Sequence, residues 1–301
     1  GLGDVYKRQV YSFSSGSAEQ LMMVGYSKFI TCDLNDDGCS ELMVILPGES
    51  ETGTGSAVLY RMQDGNIERS VEVNVSEDAT HIRRITVGRL LGGTPAVFVA
   101  SAVNNSAIVT DVFAWRNDRF SNISYSRDLD TSVQTLRNYY VYAEDIDGDG
   151  VMELPSLITM KRVFPEQEGK QKFLIRWFAM DLEGREMDKF FTFHNYLGGW
   201  YMQLASSWAP RVSVEQEGGK YTFYVWDEDY RQALDVFSIY ALTGGSREED
   251  ATVDGRFAFY RAEGVVYAAK LEANAAEFGI TENQLINNFH LIQQDWKTGE
   301  T

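Results

Sequence analysis

The sequence predicts an all-β chain whose short strands gather into repeated units of about four, the design of a β-propeller blade. Three observations predict it. Short apolar runs alternate with turn signals along most of the chain. A strand–turn–strand shape with a leading aromatic recurs at Tyr11, Tyr60, Trp115, Phe178 and Tyr240, spaced by roughly 50 to 63 residues. An acidic loop closed by glycine stands between two strands twice, and both copies keep that period.

Taken in order, residues 1–9 have no initiating methionine and read as a non-native leader outside the fold. Residues 10–21 read as strand, polar turn, strand, the last hairpin of a preceding blade. The chain is therefore expected to begin mid-blade, as the C-terminal part of a larger propeller. Residues 29–32 and 42–46 are strands on either side of the first acidic loop, and 58–67 form a hairpin turned by Asp64 and Gly65. Residues 85–99 keep the strands and the central glycine of that first unit. Gly88, Leu90, Gly92 and Ala96 stand where it has Asp33, Asn35, Asp37 and Glu41, so this turn is expected to close without metal. Residues 112–120 form the next hairpin, and 139–142 and 154–158 flank the second acidic loop. A fourth unit, from residue 200 to about 248, has strands at 211–215, 221–226 and 234–242 and no ligand set.

Two more strands, 256–261 and 265–271, complete a propeller region of residues 10–272, about four blades and a partial one. A blade cannot bury both faces alone, so its neighbours must stack on it. Residues 273–301 change character. Thr281 and Gln284 form a capping box ahead of a short α-helix with Leu285, Ile286, Phe289 and Ile292 on one face. That helix is expected to run to about Trp296 and to pack on the propeller.

The two loops carry the chemistry. In the second, Asp145, Asp147 and Asp149 stand at positions one, three and five, and Gly150 turns the chain at six. Val151 offers a backbone carbonyl at seven and Glu153 closes the loop at nine. The first repeats this with Asp33, Asn35, Asp37, the carbonyl of Cys39, and Glu41. Alternating oxygens on a tight loop suit Ca2+, which takes six to eight of them. An EF-hand also needs a carboxylate at position twelve, where Val44 and Ser156 stand, and a dockerin-type loop fails for the same reason. The expectation is two structural Ca2+ sites; the competing reading is an Asp/Gly-rich turn that binds nothing.

A net charge of −17 argues against nucleic acid and against anionic lipid surfaces. No apolar run is long enough to span a bilayer. Acidic, calcium-looped chains suit compartments rich in Ca2+, so an extracellular or cell-surface location is expected. Cys32 and Cys39 flank the first loop, either bridged or as two free thiols. The sequence holds neither a GxSxG elbow nor a P-loop nor HExxH, and His81, His194 and His290 are scattered. Residues 190–201 are rich in aromatics. They offer either a sugar-stacking platform of His194, Asn195, Tyr196 and Trp200 or blade-to-blade packing. The acidic run at 226–230 reads as a solvated hairpin, with a cation contact or glycosidase-like carboxylates as the sharper reading.

Strand, Asp-x-[Asp/Asn]-x-Asp-Gly-x-x-Glu-Leu, strand resembles the FG-GAP/VCBS-type propeller repeat, also found in integrin α-chain head domains. The motif is met at Asp33–Leu42 and Asp145–Leu154. The Phe-Gly-Gly-Ala-Pro element that names the family is missing, with Gly92-Gly-Thr-Pro95 a faint echo. The likeness covers roughly residues 10 to 248 and implies a structural role for Ca2+. With the C-terminal helix, the whole resembles lipoproteins of gut Firmicutes built on such repeats, for which no activity is implied. Their lipobox cysteine is not in this chain, so a lipid anchor would belong to a missing N-terminus. Three functions follow. One is a non-enzymatic binding or adhesion module for a glycan, a cell-wall component or a surface protein. Another is a polysaccharide lyase or glycoside hydrolase, by analogy with calcium-loop propellers that are lyases. The last is a scaffold of a surface assembly.

Overall fold

In the computed structural model the structure describes residues 7–12, 16–47, 54–104, 106–166, 171–293 and 295–298. The expected leader up to Tyr6, the turn at 13–15 and the tail from residue 299 lie outside them. The chain is all-β: antiparallel hairpins dominate, and the helices are short. It divides into two compact units, one of residues 1–156, 178–188 and 296–301, the other of 157–177 and 189–295.

In the first unit, β1 (Lys7–Ser12) pairs with β2 (Glu19–Gly25). β1 starts two residues before the expected end of the leader, because Lys7, Arg8 and Gln9 pair with Gly25, Val24 and Met23. The Arg8 guanidinium also lies 4.1 Å from the centre of the Phe29 ring. A four-stranded sheet follows: β3 (Lys28–Cys32), β4 (Glu41–Pro47), β5 (Thr54–Gln63) and β6 (Asn66–Asn74), neighbours in chain order. Asp64 and Gly65 join β5 to β6 with φ of 51° and 80°, the pair of positive values a type I′ hairpin turn requires.

The next sheet is β7 (Ala79–Arg89), β8 (Pro95–Val103), β9 (Ala107–Arg116) and β10 (Arg119–Asn122), again in chain order. Every residue of β8 is buried, which an apolar run with no alternation demands. Its two faces go different ways, since successive side chains leave a strand on opposite sides. Val97 and Val99 join Leu34, Met43, Ile45 and Leu59 in one core cluster. Ala96 and Phe98 join Met152, Leu154, Phe178 and Met180 in another. The β7–β10 sheet is thus covered on both faces. β11 (Tyr139–Tyr140) leads toward the second acidic loop.

Beyond that loop run β12 (Glu153–Thr159), β13 (Phe173–Met180), β14 (Glu186–Asn195) and β15 (Trp200–Leu204), in this order within one sheet. The second unit holds a five-stranded sheet built from β16 (Val212–Glu217), β17 (Lys220–Trp226), β18 (Ala233–Thr243), β19 (Phe257–Ala262) and β20 (Val265–Leu271), ordered β16-β17-β18-β20-β19. A one-turn helix, α1 (Arg247–Asp250), follows β18. The capping box forms as expected: Thr281 Oγ accepts the Gln284 N–H, and the Gln284 side chain accepts the Thr281 N–H.

The helix it starts, α2 (Glu282–Asn288), is shorter than the sequence suggests. Phe289–Leu291 is a strand, β21, which adds to the free edge of β15 with Trp200 opposite Leu291 and Met202 opposite Phe289. Leu285 and Phe289 are buried, whereas Ile286 is 41% exposed, so the expected apolar stripe does not form. The edge of β15 presents unpaired backbone groups, and these three residues pair with it as a strand. The last strand, β22 (Lys297–Thr298), pairs with β11 in the first unit. Among the described residues, no helix is long and apolar enough to cross a membrane.

Candidate metal centre

Both acidic loops span a single antiparallel step: residues 33–40 lie between paired Cys32 and Glu41, and 145–152 between bridged Glu144 and Glu153. Within them the same four hydrogen bonds recur. The first aspartate accepts from the glycine at position six (Gly38 N–H to Asp33 Oδ2, 2.8 Å; Gly150 N–H to Asp145 Oδ2, 3.0 Å). The third-position oxygen accepts from position five (Asp37 N–H to Asn35 Oδ1, 3.1 Å; Asp149 N–H to Asp147 Oδ1, 3.2 Å). The fifth accepts from position seven (Cys39 N–H to Asp37 Oδ1, 2.7 Å; Val151 N–H to Asp149 Oδ1, 2.9 Å). The closing glutamate accepts from position two (Leu34 N–H to Glu41 Oε2, 2.8 Å; Ile146 N–H to Glu153 Oε2, 3.2 Å).

Positions four and six have positive φ in both loops: Asp36 and Gly38 at 56° and 84°, Gly148 and Gly150 at 75° and 86°. A chain that turns left-handed twice in three residues aims its odd-numbered side chains inward. One carboxylate oxygen from each of Asp145, Asp147 and Asp149 lies within 4.8 Å of the others. The first loop has an amide at position three, and Asn35 Nδ2 donates to Asp37 Oδ2 across 2.9 Å.

The donor set fits a hard divalent cation. Glu41 and Glu153 are 3% and 0% exposed at the base of their loops. Burial raises the pKa of Glu41, and the charges of Asp37 and Asp33 add to the rise against the Leu34 N–H. Asp145 Oδ1 is buried and, among the described residues, accepts no hydrogen bond. A buried carboxylate costs free energy unless hydrogen bonds or a cation compensate it, which bears on Glu41, Glu153 and Asp145 Oδ1, whereas Asp37, Asp147 and Asp149 are exposed. Asp33, Asn35, Asp37 and Glu41 with the Cys39 carbonyl would hold one ion. Asp145, Asp147, Asp149 and Glu153 with the Val151 carbonyl would hold the other. All are oxygen donors, as Ca2+ requires.

The intervening turn, residues 90–94 between paired Arg89 and Pro95, is shorter than either loop. It closes on itself: Leu90 N–H donates to Thr94 O and Gly93 N–H to Leu90 O, both at 2.9 Å. Residue-by-residue alignment of this turn on the acidic loops therefore does not hold through its middle. It touches both loops. Arg89 makes two hydrogen bonds to the carboxylate of Asp36, at 3.1 and 3.2 Å. Met152 N–H donates to Arg89 O at 2.8 Å, and Met152 packs against Gly88. Neither Arg89 nor Met152 carries a ligand signature, so only the fold brings them forward. Beside the first loop lies a cavity of about 590 Å3, bordered by Asn35, Asp36, Arg61, Trp115 and Asn117.

No family model matches this chain, and no curated protein matches it either.

The aromatic segment does not form an open platform. Trp200 is fully buried, edge-on to Tyr221 at 5.2 Å and tilted on Phe193 and Phe289. Its ring faces are used by protein, so no sugar can stack on them. His194 and Asn195 are buried as well, and Tyr196 is half-buried. Thr192 Oγ sits 2.8 Å from both His194 Nε2 and Trp177 Nε1, and burial lowers the His194 pKa to about 3. Asp227 caps its own turn, accepting from the Arg231 and Gln232 N–H groups, as a solvated hairpin does. Cys32 and Cys39 are both free thiols.

Proposed function

We propose that this chain is a calcium-stapled β-propeller region that serves outside the cytosol as a non-enzymatic binding or adhesion module for a glycan, a cell-wall component or a surface protein. The observation that carries the reading is the recurrence of four equivalent hydrogen bonds and two positive-φ positions in loops more than a hundred residues apart in sequence. Two loops built alike, each with a buried glutamate at its base, are best accounted for by the same kind of ion in each. The blade reading is supported by two four-stranded sheets in chain order and by β8, whose alternate residues pack into cores on opposite faces. The Asp36–Arg89 and Arg89–Met152 contacts, which bring three successive turns together, support it further.

In this reading Ca2+ neutralises carboxylates and stiffens the turns, and recognition belongs to neighbouring surfaces such as the cavity beside the first loop. The test is a retention assay on a panel of polysaccharides, cell-wall fractions and surface proteins, with melting followed in excess Ca2+ and in EDTA. Retention without released product, together with higher melting in Ca2+, supports the module. Released sugar would make the chain an enzyme, and melting indifferent to Ca2+ would remove the metal.

A further inference from the structure

Arg116 and Arg119 face each other directly across the β9–β10 hairpin, whose turn residues Asn117 and Asp118 have φ of 50° and 59°. Opposite residues of an antiparallel pair hold their side chains on one face a few ångströms apart, and like charges there repel. Both arginines are exposed, and among the described residues neither makes a hydrogen bond or an ion pair. Arg127 is in the same condition. All three line one cavity of about 480 Å3. In a chain with a net charge of −17, three solvent-exposed guanidinium groups without a protein partner among the described residues, around one hollow, are a local inversion of sign.

The acidic side chains of this cavity are already engaged. Glu72 is bonded to Arg69 and to Ser56 Oγ. Asp130 Oδ1 accepts the Tyr125 hydroxyl at 3.2 Å. The floor is rigid, since Asn122 Nδ2 donates to the buried Asp111 at 2.8 Å and its Oδ1 accepts Ser124 Oγ at 2.9 Å. Asn117 and Ser121 add neutral polar groups to the wall.

We propose that this hollow binds an acidic oligosaccharide, with Arg116, Arg119 and Arg127 taking its anionic groups and Asn117 and Ser121 its hydroxyls. Guanidinium forks match carboxylate and phosphate oxygens two at a time, and such a ligand relieves the repulsion of the cross-strand pair. The volume suits a short stretch of chain, held on the shoulder of a hairpin whose Asn117 also borders the cavity beside the first acidic loop. The anion is either a sugar carboxylate or a phosphodiester. The site rests on the binding-module reading and names its ligand.

The test is isothermal titration of the full chain with a galacturonate tetramer, its fully methyl-esterified form and a mannose tetramer linked by phosphodiesters, repeated on R119Q and R116Q. At least one acidic tetramer should bind, and the ester should bind at least tenfold more weakly than the galacturonate if that is the acid taken. Each substitution should weaken acid binding at least tenfold. The tighter of the two acids identifies the anion. Melting of R119Q should equal or exceed that of the parent, because a like-charge pair is removed, which separates loss of binding from loss of fold. Failure of both acids to bind overturns the site, and so does binding that ignores both substitutions. Equal, substitution-blind binding of acid and ester would overturn the site yet leave the module reading standing. The wider retention panel judges that reading by itself.

Discussion

Gly88 and Met152 meet at a point where only one of them can have a side chain. A Cβ built on Gly88 would stand 2.1 Å from Met152 Cγ and 2.6 Å from its Sδ. The glycine that sequence alignment sets opposite Asp33 is thus a position where methionine from the second acidic loop fills the space. Gly88→Ala should destabilise the chain by about 1–3 kcal/mol through overpacking. Adding Met152→Ala should recover part of that loss, so the pair is non-additive. Urea midpoints of the two single variants and the double variant measure it. A neutral Gly88→Ala would mean that the methionine turns aside freely.

Calcium linkage should be divisible between the loops. An ion that binds only the native state at a hundred times its dissociation constant adds about 2.7 kcal/mol per site. Asp147→Ala should remove the share of the second loop and leave that of the first, and Asp37→Ala the reverse. Differential scanning calorimetry of both variants with and without Ca2+ reads the shares. If either substitution erased the whole Ca2+ response, the loops would not be independent sites.

Trp200 should behave as a core residue. Trp200→Ala ought to cost about 3–5 kcal/mol, the usual penalty for emptying a buried aromatic site. Chemical denaturation measures this directly. A variant as stable as the parent would mean that the indole is not packed as the structure has it.

His194 gives a pH dependence with a definite sign. Burial holds its folded pKa at about 3, against 6.5 when free. Between those values the unfolded chain takes up a proton that the native chain refuses. The residue's contribution is therefore complete above pH 6.5 and is lost as pH falls toward 3. From about pH 7.5 to about pH 5 the loss is about 2 kcal/mol. His194→Gln should flatten that part of the profile, and urea midpoints of parent and variant at the two pH values would show it. Parallel slopes in the two proteins would rule His194 out as the cause.

What the sequence revealed was local. The acidic loops are legible because their hydrogen bonds join residues two to seven apart, so spacing alone encodes them. Asp64 and Gly65 announce their turn for the same reason. The fate of Trp200 was not legible, since aromatic residues suit a sugar platform and a core equally until their neighbours are known. Nor was the end of α2, because Phe289–Leu291 becomes strand only where β15 offers an unpaired edge. The facing register of Arg116 and Arg119 emerges only from the pairing of β9 with β10.

The strands β21 and β22 bear on how the protein is made. β15 gains its outer neighbour from Phe289–Leu291, and β11 gains its partner from Lys297–Thr298, some 160 residues further along the chain. A ribosome delivers these segments after the strands they pair with. Until then the edges of β15 and β11 wait unpaired, exposed to any other strand nearby, and each sheet closes only after its final segment has left the exit tunnel.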